Sequence, residues 1–314
     1  MNALTSGTGA ADGSRRLRLV HETRYRYASP VTLSRQLLHL TPRPLPGQQV
    51  IAHRIAVQPA PAESIAGHDY FGNPICQAVI TVPHRALTVL AESTVELRAR
   101  SVAQGLGGIG WEAARDALGQ PGGAAVLDAA RFRFESPHVP LDTAVHAYAA
   151  DVFASRRAVL PALLELTARI HAEFEFDATA TDIATPLTEV LEHRHGVCQD
   201  FAHLMIGCLR SRGLAARYVS GYILTMPPPG QPRLIGSDAS HAWVSVYCPG
   251  HDAAAGDWID FDPTNNCRID RDHVTLGWGR DFSDVTPARG VTLGGGQQAL
   301  VVQVTVNPDA DTLG

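Results

Sequence analysis

The chain has 314 residues, of which 45% are hydrophobic and 18% charged, and its formal net charge is −5 at neutral pH. A chain of this length points to about two domains and to a core large enough to stand without covalent staples. The acidic balance excludes nucleic acid as the main partner. No run approaches the roughly 18 apolar residues that span a bilayer, so no membrane partner is expected either.

Residues 1–16 are small and polar until the short basic cluster Arg15, Arg16 and Arg18 begins, with no apolar signal core, and read as a disordered leader. Residues 17–100 read as a β-sandwich domain. LRLVHETRYRY alternates, the turn material TPRPLPG follows, and IAHRIAVQP, PICQAVITV and LTVLAESTVEL are further strands. DYFGNP marks a tight turn, with Gly72 and Asn73 expected at positive φ. Residues 101–130 are rich in Gly and Ala and read as a linker.

Residues 131–314 read as a catalytic domain. Ser136 and Pro137 resemble a helix start, and 142–173 has helical spacing, with Leu163, Leu164, Ile170 and Phe174 near one face and Pro161 near the start of that run. A second amphipathic helix follows Gly196: Phe201, Leu204, Met205, Cys208 and Leu209 form one apolar stripe, and Gly213 marks its end. After that the period becomes two. ARYVSGYILTM, HAWVSVYCP and DWIDFDPTN read as strands, and ALVVQVTVNP closes the domain as a C-terminal strand. The fold class is α+β: an antiparallel β-sandwich, then helices packed on an antiparallel sheet.

The five cysteines, Cys76, Cys198, Cys208, Cys248 and Cys267, are odd in number and never in a CxxC pair, which suggests a reducing compartment and a cytoplasmic protein. Cys198 is set apart by its place. It lies in the first helical turn, where backbone N–H groups lack partners and the helix dipole favours a thiolate over a thiol. Its own N–H can face the oxygen of an attacked carbonyl. Gln199 and the tyrosines of YVSGY, Tyr218 and Tyr222, are candidates for the second oxyanion donor, and Trp243 is a further candidate for the substrate side. Cys208 lies in the apolar stripe and reads as a packed, inert thiol.

His241 opens the HAWVSVY strand, where period two puts it on one face with Trp243, Ser245 and Tyr247, and puts Ala242, Val244 and Val246 on the core face. Its role would be to pair with the thiolate and then protonate a leaving amine. In DWIDFDP, Asp260 and Asp262 share a face. Residues two apart on a strand are about 6.6 Å apart, so one of them reaches the imidazole; Asp262, at the strand end, is favoured over Asp260. Asp200 and His203, three apart on the cysteine helix, can pair locally as supporting residues. Cys198, His203, Cys208 and His241 match no zinc-ligand spacing, and the glycine runs GLGGIG and GVTLGGG lack the rest of a phosphate loop, so no metal or cofactor is expected.

GVCQDFAHL, HAW and DPTN, in this order, resemble the transglutaminase-like superfamily of bacteria, a papain-like cysteine fold. HDYFGN and GRDFSDVTPARGVTLGGG resemble the N-terminal domain and C-terminal tail of one bacterial branch, so the resemblance covers nearly all of residues 17–308. It implies a nucleophile at Cys198, a histidine at His241 and an aspartate at Asp262, acting on a peptide, protein or other amide as peptidase, amidase or transamidase. One departure is Ser245, which stands where many relatives carry an acid. Two other classes fit less well: a silent peptide-binding module of the same fold, and an acyltransferase taking a thioester donor.

Overall fold

The computed structural model describes residues 13–99, 109–120, 123–225, 240–250 and 257–309. Residues 1–12 of the expected leader, residue 100 at the end of the expected sandwich, and 101–108 and 121–122 of the expected linker lie outside the described residues.

The N-terminal unit is organised by one strand. β1 (Arg15–Leu38) is 24 residues long, and its register with a neighbouring strand breaks between Arg26 and Val31, around Pro30, which has no N–H to donate. Its first half lies between β5 (His84–Leu97) and β14 (Gln298–Pro308), and its second half between β4 (Pro74–Ile80) and β13 (Ala288–Gly294). β2 (Gln48–Gln58) pairs with β5, and β3 (Glu63–His68) with β4. All seven strands thus form one antiparallel sheet. It curls so that its halves face each other: Leu38 of β1 packs with Val89 and Ala91 of β5. The sandwich expected from the strand pattern is this curled sheet.

The C-terminal strand belongs here, and not to the catalytic unit as expected. β14 runs antiparallel along β1 from Leu17↔Pro308 to Tyr27↔Gln298, and Val304 and Val306 are buried with Leu17 and Leu19. The hairpin between β13 and β14 explains the GGG run. Gly294, Gly295 and Gly296 all have positive φ, and a Cβ on Gly294 would lie 2.4 Å from the Pro30 carbonyl.

Part of the expected linker is folded. α1 (Trp111–Ala117) and α2 (Ala124–Ala130) occupy it, and the buried Trp111 ring meets Phe153 edge-on. Ser136 starts no helix; 136–139 is a turn, and α3 (Thr143–Tyr148) begins with the Asp142 carboxylate accepting from the N–H groups of Ala144 and Val145. The helical spacing over 142–173 resolves into two helices, α3 and α4 (Val159–Glu173). Leu163, Ile170 and Phe174 face the core, but Leu164 is 43% exposed.

α5 (Leu187–His193) leads to a two-residue strand, β7 (His195–Gly196), which pairs in parallel with β6 (Glu175–Phe176) and fixes the entry to α6 (Cys198–Ser211). The apolar stripe of α6 is fully buried, each large side chain contributing about 1.5–3 kcal/mol. Burial in fact runs all round it from Asp200 to Arg210, because α3, α4 and α5 cover one side and a sheet the other. That antiparallel sheet has the order β11 (Cys267–Arg268), β10 (Trp258–Asp262), β9 (Ser240–Tyr247), β8 (Ala216–Ile223), β12 (His273–Gly279). Ala242, Val244 and Val246 of β9 face α6, as expected.

The N-terminal sheet docks on the β8–β12 side, where Leu17, Leu19, Val95 and Leu97 pack on Tyr222, Leu224, Val274 and Leu276. No helix among the described residues is long and apolar enough to cross a membrane.

Candidate active site

The thiol end of the site is built by the N-terminus of α6. Gly196 must be a glycine: a Cβ there would lie 2.7 Å from the Asp200 carboxylate. That close approach lets Asp200 Oδ2 accept the Val197 N–H at 2.8 Å and the Thr181 hydroxyl at 2.6 Å, holding the first turn. Burial raises the Asp200 pKa, against the opposing pull of these two bonds. Cys198 is half-buried at the first helical position, with Sγ 4.0 Å from the Ser240 carbonyl, and Gln199 lies half-buried beside it.

The expected Asp200–His203 pair does not form. Asp200 turns back to Val197, whereas His203 points sideways: its Nε2 accepts the Phe282 N–H at 3.2 Å and its ring stacks on His138. Burial pulls the His203 pKa down to about 3, against the raising effect of Asp281. The zinc set considered above does not assemble either. His203 is occupied and Cys208 is sealed in the core, where burial pushes its thiol up to about 12.

His241, the second residue of β9, donates from Nε2 to Asp262 Oδ2 at 2.7 Å. That leaves Nδ1 for the thiol of Cys198, whose Sγ lies 4.0 Å from the carbonyl of the residue preceding His241, Ser240. Burial alone would lower its pKa; the bonds and charges of Asp262 and Cys198 prevail and raise it to about 10. Asp262 ends β10 and is 0% exposed. The DPTN turn wraps it: the N–H groups of Thr264 and Asn265 donate to Oδ1 at 2.9 and 3.2 Å, and the Asn265 amide donates to Oδ2 at 2.6 Å. Burial opposes its charge, but the hydrogen bonds of His241, His273 and the Asn265 amide, with the charge of His241, hold the carboxyl well below the usual range. Asp260, the rival acid, lies opposite Ser245 of β9.

Two residues expected on the substrate side lie elsewhere. Trp243 is fully buried and packs on Val219 and Ile269, with its ring 5.4 Å from His273 and 6.1 Å from His241. It braces the imidazoles from behind. Tyr222 faces the N-terminal sheet, its hydroxyl bonded to His21 Nδ1 at 2.8 Å. Tyr218 is the tyrosine of YVSGY on the thiol's side; burial, then the nearby charge of Cys198, pushes its pKa far up and keeps the phenol protonated.

The residue that sequence reasoning missed is His273 of β12, which donates from Nε2 to Asp262 Oδ2 at 3.2 Å. Its strand was not recognised because Gly277 and Gly279 dilute the alternating pattern. His241, Asp262 and His273 bring one ligand atom each within 4.8 Å of one another, the closest approach to a metal-ligating set among the described residues. Both imidazole Nε2 atoms are already committed to the carboxylate.

Residues 17–96 match the bacterial transglutaminase-like N-terminal region, and residues 146–263 match the transglutaminase-like superfamily. An uncharacterized protein of Mycobacterium tuberculosis (strain ATCC 25618 / H37Rv) is 40% identical over 312 residues, 98% of either chain. One of Mycobacterium leprae (strain TN) is 31% identical over 299 residues, 93% of this chain and 98% of its own. A solved structure from Cytophaga hutchinsonii, described as a candidate cysteine protease, aligns over 94% of this chain and 91% of its own with a TM-score of 0.73. At 20% identity that likeness is one of fold. The chain belongs to the transglutaminase-like superfamily, in the bacterial group whose core follows this N-terminal region.

Proposed function

We propose that the protein is a cysteine-dependent hydrolase of peptide or other amide bonds, with transamidation as the alternative outcome of the same intermediate. The observation that carries this reading is His241, held between the Cys198 thiol and a buried, multiply bonded Asp262. A histidine whose pKa is raised to about 10 carries its proton at neutral pH, facing the thiol.

In the reaction, Cys198 Sγ attacks the amide carbonyl, and the oxygen takes the negative charge beside the N–H groups of the first turn of α6. The C–N bond breaks as His241 gives its proton to the leaving amine, and a thioester remains. Neutral His241 then takes a proton from the acceptor as that acceptor attacks the thioester, and Cys198 leaves as thiolate. Asp262 keeps the imidazole oriented and stabilises its charged form. Water is the favoured acceptor because it needs no second binding site. The five cysteines are all unpaired, which supports a reducing compartment such as the cytoplasm within this reading.

The test is a panel of peptide and amide substrates with a thiol-directed electrophile in parallel. Cys198→Ala should lose both turnover and labelling. A Cys198→Ala protein with full activity would overturn the proposal.

A further inference from the structure

Asp262 Oδ2 is the most crowded acceptor at the site. Asn265 donates to it at 2.6 Å, His241 at 2.7 Å and His273 at 3.2 Å. The two backbone donors on Oδ1 complete the shell, so rotation of the carboxyl group breaks several bonds at once. An ionised carboxylate is an acceptor only, so His273 must carry its proton on Nε2. Its Nδ1 is buried with no partner among the described residues. An orphaned polar atom of this kind serves packing badly, and a leucine would fill the space without it.

β12, the strand of His273, is gripped from the N-terminal sheet. The Gln48 carboxamide donates to the Thr275 carbonyl at 2.7 Å and accepts the Thr275 N–H at 2.8 Å. The Asn73 carboxamide does the same for Trp278, accepting its N–H at 2.9 Å and donating to its carbonyl at 2.8 Å. Between these clamps the β12 register shifts, at Thr275/Gly277.

We propose that His273 is a positioning residue: its Nε2–H fixes the Asp262 carboxylate against His241, and the N-terminal sheet holds the strand that supplies it. The inference rests on the cysteine-nucleophile reading above. It gives the HDYFGN turn a task at a distance, since Asn73 of that turn is one of the two clamps.

The test is the rate of Cys198 alkylation by iodoacetamide from pH 5 to 10 in the wild type, His241→Ala, His273→Leu and His273→Gln. The wild type should react faster than His241→Ala in the lower half of that range, where the imidazole next to the thiol assists its attack. His273→Leu should lose about tenfold in rate near pH 6, on the scale seen when a group supporting an active residue is removed. His273→Gln, whose side-chain amide donates from nearly the Nε2 position, should regain most of it. If His273→Leu superimposes on the wild type while His241→Ala does not, the role of His273 is overturned and the nucleophile reading stands. If the wild type already behaves as His241→Ala, both fall. Should His273→Leu fail to fold, ¹⁵N-histidine spectra of the wild type decide, with the resonance assigned by its loss in His273→Gln. A proton on His273 Nε2 is required, and a ring protonated on Nδ1 alone overturns the proposal.

Discussion

His203 and His241 are both buried beside α6, yet their proton affinities move in opposite directions. Burial takes His203 down to about 3, where it serves as a neutral acceptor for the Phe282 N–H. His241 suffers the same burial and still rises to about 10, because Asp262 and Cys198 bond its charged form. Asp281 is buried too, but it acts on His203 through its charge alone and is outweighed by burial, whereas at His241 a buried carboxylate bonds the ring directly. That carboxylate in turn is sustained by the DPTN turn and His273. The region of His203 is packing; the region of His241 is a prepared charge.

The change that breaks this contrast most completely is Asp262→Ala. His241 would then resemble His203, buried with no carboxylate bonded to its ring. We expect its pKa to fall below 6.5, which histidine NMR would read, and a stability loss of about 3–5 kcal/mol in urea unfolding, as for a buried ion pair deprived of one partner. Turnover on any amide substrate found should drop about 10⁴-fold, the cost of losing the group that orients the imidazole.

The two histidines also predict opposite limbs of stability against pH. His241 has a folded pKa above its unfolded value, so its contribution is present below about pH 6.5 and is lost as pH rises toward about 10. His203 has a folded pKa below its unfolded value, so its neutral form favours folding above about pH 6.5 and the benefit is lost as pH falls toward about 3. Urea midpoints across pH 4–10 should fall at both ends. His203→Gln should flatten the acid limb, and His241→Gln the alkaline one.

A smaller effect separates the site from the domain contact. Tyr222→Phe leaves His21 Nδ1 buried without its partner and should cost about 1–3 kcal/mol. Because the Tyr222 hydroxyl faces the N-terminal sheet, the pH profile of Cys198 alkylation should not change. A shift in that profile would restore Tyr222 to the substrate side.

What the sequence made legible was local. The stripe on α6, the strands β8, β9 and β10, and the order Cys198, His241, Asp262 follow from spacing within short windows, and each of these elements forms. The less legible parts depend on partners far along the chain. β14 answers to β1 some 280 positions earlier, so its alternating pattern announces a strand but not which sheet it joins. His273 sits on a strand whose glycines hide its period, and its task exists only once β12 is placed beside Asp262. Trp243 and Tyr222 were misplaced for a related reason. Period two assigns a face, but both faces of this sheet are covered, one by α6 and the other in part by the N-terminal sheet. In the DYFGNP turn only Gly72 takes positive φ; Asn73 instead turns its amide to Trp278.

The two buried aspartates sharpen the lesson at the smallest scale. Asp200 and Asp262 both accept backbone N–H groups, but no imidazole among the described residues bonds the Asp200 carboxylate, and burial raises its pKa. A raised carboxyl pKa means that the ionised form is held less favourably in the folded protein than in the unfolded chain at neutral pH. Asp200→Asn keeps an oxygen for the Val197 N–H and the Thr181 hydroxyl and removes the buried charge, so its stability should stay within about 0.5 kcal/mol of the wild type. Asp200→Ala removes the acceptor too and should lose about 1 kcal/mol, the cost of an uncapped helix start. At Asp262 the order reverses: the carboxyl pKa is lowered, so Asp262→Asn loses the charge that His241 requires and should be strongly destabilising at pH 7. Urea unfolding of the two Asn variants side by side reads this directly. Equal losses from both would mean that the two carboxylates are held by burial and backbone bonds alone, and that the imidazolium of His241 adds nothing.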